Sequence, residues 1–235
     1  MRIAALSDLH LSTPDGACAF THTVDAFLAF LDHVEADHDL LLLVGDVFDH
    51  DVGPRLGDRR GALRDARLAW APVVDRLART RCLQVHGNHD ALLEEEGVPA
   101  TLHLDVDGLR ITLQHGHRFN PLGDAIEPIK RPVKWIAARD QRKGGRLGDL
   151  LYRVNDLLTQ SPPERGRPSA TQRGAIEALR RSSTDILICG HDHTPAIVQT
   201  PFGIYANSGT CGYGRLDWLS VDTRERAVTL RSGLD

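Results

Sequence analysis

Five short apolar runs in this chain of 235 residues each end directly in a cluster of Asp, Asn or His. Residues 2 to 7 lead into Asp8-Leu9-His10, and residues 40 to 45 into Asp46-Val47-Phe48-Asp49. Residues 82 to 87 lead into Asn88-His89-Asp90, residues 110 to 114 into His115-Gly116-His117, and residues 185 to 190 into His191-Asp192-His193. Short apolar runs bounded by Gly and polar residues read as buried strands. In an open α/β sheet, ligands gather at the carboxyl ends of the strands, so these polar groups are expected to converge although they are far apart in sequence. A single His after a strand is ordinarily a hydrogen-bonded structural residue, whereas five such endings together require a fold that gathers them.

Helical period occupies the gaps between the early runs. Residues 23 to 34 place Val24, Phe27, Leu28, Leu31 and Val34 on one face, and residues 62 to 78 predict a second helix through Leu63, Ala66, Leu68, Val73 and Leu77. Strand and helix thus alternate, which predicts an α/β layered fold. Residues 101 to 106 and 109 to 114 flank Asp107-Gly108 and predict a hairpin. Short strand runs at 196–199, 204–206, 216–221 and 227–230 predict a C-terminal third that is mainly antiparallel.

Residues 121 to 168 interrupt this pattern. They carry ten Lys and Arg against six Asp and Glu, a local charge of +4 in a chain whose formal charge is −4. Helical period around Leu150, Leu151, Val154, Leu157 and Leu158 predicts a basic helical insertion suited to cap an anionic ligand, with a solvated excursion of no role as the alternative. Its apolar residues Ile126, Ile129, Val133, Trp135 and Ile136 are free at this level to meet a membrane, a lipid or the core. The chain is expected to form one domain over 1–235 with this cap inside it. Its overall charge argues against duplex nucleic acid as a partner. Cys18, Cys82, Cys189 and Cys211 form no C-x-x-C pair and read as packing residues in a reducing compartment. With no run of about 18 apolar residues and no leader pattern, a cytoplasmic location is expected.

Twelve histidines, together with carboxylates, an Asn and no thiolate at the strand ends, make a donor set suited to Mn²⁺, Fe or Zn²⁺ rather than to a Cys-based structural zinc. Asp8-x-His10, Gly45-Asp46-x-x-Asp49, Gly87-Asn88-His89-Asp90, His115-Gly116-His117 and Gly190-His191-Asp192-His193 resemble, in order, the signature of the calcineurin-like metallophosphoesterases. The resemblance implies a four-layer α-β-β-α sandwich holding two divalent metal ions, Mn²⁺ being the leading expectation. One would be held by Asp8, His10, Asp46 and His193, the other by Asp46, Asn88, His115 and His191, with Asp46 as the bridge. A metal-bridging hydroxide would attack phosphorus, and His89, oriented by Asp90, would steady the developing charge or protonate the leaving group. Asn88, His89 and His117 are expected to meet the substrate. Asp49, His50 and Asp192 are read as support for the ligands, His86 as structural, and His33, His38 and His103 as outside the site.

The long insertion after His117, with GDLLYRVNDLL and then ICGHDHTPAI and GIYANSG, is similar to bacterial UDP-2,3-diacylglucosamine pyrophosphatases, which cover a pyrophosphate lipid with a helical cap. The chain departs from them in carrying His89 where those enzymes commonly carry Arg. Three readings are open: a phosphohydrolase acting on a UDP-sugar lipid, with peripheral membrane contact through the insertion; a nucleotide phosphodiesterase or phosphatase; and a metal-binding scaffold. A scaffold has no need of the leaving-group acid expected at His89.

Overall fold

The computed structural model describes residues 1–15, 17–120, 127–145 and 168–234. Along the chain run β1 (Arg2–Leu6), α1 (Val24–Ala36), β2 (Leu40–Val44), α2 (Arg59–Ala69), α3 (Ala71–Arg79) and β3 (Cys82–Val85). Next come β4 (Thr101–Val106), β5 (Leu109–Gln114), α4 (Glu127–Arg142), α5 (Ala170–Arg181) and β6 (Ile186–Cys189). The last strands are β7 (Ala196–Thr200), β8 (Gly203–Asn207), β9 (Asp217–Asp222) and β10 (Ala227–Ser232).

The strands form two sheets of five, ordered β10-β9-β1-β2-β3 and β4-β5-β6-β8-β7. Strands β1, β2 and β3 are mutually parallel, as are β5, β6 and β8. Every residue of β2 is buried, as expected for a parallel strand covered on both faces. Alternation then splits each strand between two cores. Ile3, Ala5, Leu40, Leu42 and Val44 meet Ile111, Leu113, Ile186 and Ile188 between the sheets. Ala4, Leu6, Leu41 and Leu43 face Phe27, Phe30 and Leu31 of α1, Leu63 and Ala66 of α2, and Val73 and Leu77 of α3. On the far side, Ala175 and Leu179 of α5 cover Leu187, Cys189 and Tyr205. The result is the expected α-β-β-α sandwich. Side-chain caps start α1, α2 and α5: Thr23 Oγ1 accepts from the Ala26 N–H, Asp58 from Gly61 and Ser169 from Gln172.

One sequence expectation changes. The helix expected over 62–78 is two helices meeting at Trp70. Pro72, in the first turn of α3, lacks the N–H that would continue α2, and the Trp70 indole donates to the Ser12 carbonyl at 2.6 Å, pinning the corner to the core. The C-terminal strands pair mainly antiparallel, in β7–β8, β9–β10 and β1–β9, as expected, while β6 and β8 join β5 in the parallel half of the second sheet. The β4–β5 hairpin is as expected, with Asp107 and Gly108 both at positive φ, 52° and 70°, in a two-residue turn. Of the predicted insertion, residues 127–145 are described and carry α4. Residues 121–126 and 146–167, including the period around Leu150 to Leu158, lie outside the described residues. No described helix is long and apolar enough to cross a membrane.

Candidate metal centre

The polypeptide leaves its strands in an unusual backbone state: φ is 54° at Asp8, 53° at His10, 52° at Asp46, 73° at His191 and 51° at His193. For residues bearing a Cβ this left-handed region costs on the order of 1–3 kcal/mol each and persists only where the surroundings enforce it. Here the loops enforce one another. The Asp8 N–H donates to the Gly45 carbonyl (3.1 Å), His10 to Asp46 (3.0 Å) and Leu11 to Val47 (2.9 Å). The second sheet is stitched to the first by the His115 Nδ1–H donating to the Val44 carbonyl (2.8 Å), the His191 N–H to Asp8 Oδ2 (3.0 Å) and the Thr210 hydroxyl to the Asp8 carbonyl (2.8 Å). Two glycines permit the closeness: a Cβ on Gly45, at φ 86°, would lie 2.5 Å from the His115 ring, and one on Gly87 would overlap the Asp46 carboxylate.

Six of the seven predicted ligands meet in two adjoining groups. Asp8, His10 and His193 form one, and Asp46, His115 and His191 the other, with the ligand atoms of each group within 4.8 Å of one another. In the first, Asp8 Oδ1 stands 3.1 Å from His193 Nε2 and 3.7 Å from His10 Nε2, and the two imidazole nitrogens are 3.1 Å apart. In the second, His115 Nε2 lies 3.0 Å from Asp46 Oδ2 and 3.9 Å from Asp8 Oδ1, which ties the groups together. The seventh, Asn88, shares its loop with His89, whose N–H donates to Asp46 Oδ1 at 2.8 Å.

The donors suit a divalent cation. With bonds of about 2.0–2.2 Å, neighbouring ligands around such an ion sit roughly 3–3.5 Å apart, close to the spacings above. Since His115 spends its Nδ1 proton on Val44, its Nε2 lone pair in the neutral ring faces two carboxylates. Only a cation or an extra proton relieves that repulsion. Accordingly, although burial opposes charge on His115, Asp46 and Asp8 push its pKa up to about 10. Burial works against ionising Asp8 and Asp46, yet the surrounding imidazoles hold both below the usual carboxylate range. Asp8 Oδ1, Asn88 Oδ1 and His115 Nε2 are buried without a hydrogen-bond partner, which suits atoms that coordinate a cation.

His89 sits at the mouth of this centre, its ring centroid 4.8 Å from that of His10. Its Nδ1 is 2.9 Å from Asp49 Oδ2, and its Nε2 is 3.1 Å from Nζ of Lys134 on α4. Burial and Lys134 oppose a second proton on this ring, but Asp49 and Asp46 prevail and raise its pKa to about 9. The carboxylate beside the His89 ring is therefore Asp49, whereas Asp90, expected there, faces backbone N–H groups instead. Asp90 is fully buried and accepts backbone N–H groups from Gly87 (2.6 Å), Val47 (2.8 Å), Asp46 (3.3 Å) and Phe48 (3.4 Å), clamping the loops after β2 and β3 together. His117 is buried 5.6 Å from the His115 ring and 6.2 Å from His191, and burial lowers its pKa to about 3, which favours the neutral ring. His38 and His103 bond to Ser220 and Thr112, away from the site, as expected.

Lys134 was hidden within the general basic character of residues 121–168. The GIYANSG segment and the loop that follows it reach the site without having been given a role there: Asn207 donates to the Gly190 carbonyl (2.7 Å), and Tyr213, itself at φ 55°, places its ring 5.7 Å from His193. A signal existed, because residues 204–206 run into Asn207 just as the other five runs end in polar residues.

A sequence profile described as calcineurin-like phosphoesterase matches residues 1–195. The chain is 27% identical over 220 residues to a UDP-2,3-diacylglucosamine hydrolase of Shewanella halifaxensis, spanning 86% of this chain and 87% of that one. It is 28% identical to the enzyme of the same name from Ralstonia nicotianae, over 84% of this chain and 79% of the other. Among solved structures, an archaeal phosphodiesterase superposes with a TM-score of 0.52 at 13% identity, covering 99% of both chains, a likeness of fold.

The two carboxylates beside His89 should separate on mutation. Asp90→Ala strands four buried N–H groups and should cost at least about 3 kcal/mol in urea unfolding, whereas Asp49→Asn should change stability by less than about 1 kcal/mol and act on turnover. Equal stability losses would refute this division of labour.

Proposed function

We propose, from the premise that this chain belongs to the calcineurin-like phosphoesterase family and is a metal-dependent phosphohydrolase, that it cleaves a phosphoanhydride or phosphoester of a lipid-linked nucleotide at a dinuclear centre. The observation that carries the reading is the convergence of Asp8, His10, Asp46, His115, His191 and His193 into two adjoining donor groups. Asn88 completes the second group in this proposal, and Asp46 serves both. When bound, the cations neutralise phosphate charge and acidify water, so that a nucleophile exists at neutral pH.

The protein's own residues supply the rest. His89, protonated on Nε2, gives that proton to the leaving oxygen as its bond to phosphorus breaks, with Lys134 beside the same nitrogen and Asp49 next to Nδ1. His117 stands beside His115 and is read as a further substrate contact. Asn88 and His89 meet the phosphoryl group.

Helix α4 supports a lipid substrate. Its amphipathicity is reversed relative to an ordinary surface helix: Lys134, Ala138 and Arg142 turn inward, with Arg142 meeting Asp15 and the Val52 carbonyl, while Ile129, Val133 and Ile136 stand 73%, 39% and 48% exposed. An inward basic face suits a phosphorylated headgroup, and an outward apolar stripe suits acyl chains or the bilayer that supplies them. The names of the curated relatives agree with such a substrate. A second reading, a phosphodiesterase or phosphatase of small nucleotides, draws on His89, which supplies a protonated imidazole where the lipid enzymes commonly carry Arg.

Asp46→Asn should lower bound metal, measured by elemental analysis, together with activity; full metal occupancy would contradict the bridge. His89→Ala should keep its metal and slow turnover by roughly 10²–10⁴-fold. On Mn²⁺-loaded protein, Ile129→Ser with Ile136→Ser should raise KM for a UDP-diacylglucosamine in mixed micelles several-fold and leave an aryl phosphate unaffected. Efficient hydrolysis of small nucleotides with no turnover of the lipid would favour the second reading.

A further inference from the structure

Tyr213 borders the donor groups but takes no part in the chemistry above. It lies in the loop of residues 208–216 between β8 and β9, which is fastened to the loops that carry Asp8 and His193. The Cys211 N–H donates to the Ser7 carbonyl (3.1 Å), the Thr210 hydroxyl to the Asp8 carbonyl (2.8 Å) and the Arg215 guanidinium to the His193 carbonyl (2.9 Å). Arg215 also pairs with Asp217, and the His22 ring meets the Arg215 carbonyl at 3.0 Å. On this braced loop the Tyr213 ring stands 5.7 Å from that of His193 and 6.3 Å from that of His10, centroid to centroid, yet the residue is 57% exposed.

Core packing does not account for a ring in this place. At φ 55° the backbone of Tyr213 is left-handed, a state that Gly or Asn adopts at less cost than a bulky residue, and a ring so exposed recovers little by burial. The loop is also drawn in tightly. A Cβ on Gly212 would lie 3.2 Å from the Asp8 carbonyl oxygen, and the Tyr213 N–H donates to the Ala19 carbonyl at 2.6 Å. Its surroundings differ from the apolar stripe of α4, because Tyr213 sits among Gly212, Gly214, Arg215 and the imidazoles of His10 and His193. A single aromatic face among polar groups suits a flat ring with polar edges rather than an acyl chain.

We propose that Tyr213 is a stacking platform for the base of a nucleotide whose phosphate the centre holds, and that it accepts purines and pyrimidines alike. This rests on the reading of the substrate as a nucleotide and adds how its base is held. Stacking uses the π-face that every base has, so such a platform favours nucleotides over base-free phosphates without reading base identity. The anchoring through Thr210 and Arg215 sets the loop beforehand, so little freedom is lost when a base settles on the ring.

The test is calorimetric binding of UMP, AMP and ribose 5-phosphate to the full chain saturated with Mn²⁺. Wild type should bind UMP and AMP within about threefold of each other, and both at least about fivefold more tightly than ribose 5-phosphate. Tyr213→Ala should remove most of that preference with little change for ribose 5-phosphate, whereas Tyr213→Phe should retain it. Tyr213→Asn, with a residue at ease at positive φ, gives a second ring-free protein that should match the alanine variant. Equal loss for all three ligands, a preference intact in both ring-free proteins, or a phenylalanine variant as weak as alanine would overturn the platform. So would a wide gap between UMP and AMP in the wild type. A base preference lost with the ring in a protein that hydrolyses no phosphoester would uphold the platform and remove the hydrolase reading; hydrolysis with no base preference in the wild type would do the reverse.

Discussion

Asp8 and Asp46 lie essentially without solvent where the two sheets meet, and burying a carboxylate costs several kcal/mol unless opposite charge meets it. His115 faces both, with its other nitrogen committed to a backbone carbonyl. Much of the surrounding structure answers that requirement. Left-handed residues turn carboxylates and imidazoles inward, backbone hydrogen bonds between loops hold them there, and two glycines withhold the methylene groups that would keep the rings and carboxylates apart.

The same charge shapes the cover of the site. A helix over an ordinary core turns its apolar face inward, but α4 lies beside a centre of buried carboxylates and imidazoles, and its inward side is Lys134, Arg142 and small Ala137 and Ala138. The apolar residues are displaced to the outside. Charged and apolar side chains thus stand on opposite faces of one helix.

Strand positions were legible because their apolar runs are short and punctuated by Gly; β2, β4 and β5 span the residues expected of them. The gathering of Asp8, His10, Asp46, His115, His191 and His193 was legible for the same reason, since each lies just past a strand end. The partner of His89 was not. Asp90 is its neighbour in sequence, but consecutive residues point to different sides of the backbone, so Asp90 faces N–H groups while Asp49, from another loop, reaches the imidazole. The break at Trp70 also escaped the helical period, which registers a Pro in the first turn only weakly.

By itself, the sequence determined the α/β layering, the donor types and their order, because these depend on local period and on the residues directly after each strand. Tertiary structure alone decided which carboxylate supports which imidazole, that β6 and β8 run parallel to β5, and that the Tyr213 ring stands beside His10. Those choices are contacts between segments distant in the chain, set by the packing of two sheets face to face, and no periodicity within one segment encodes them.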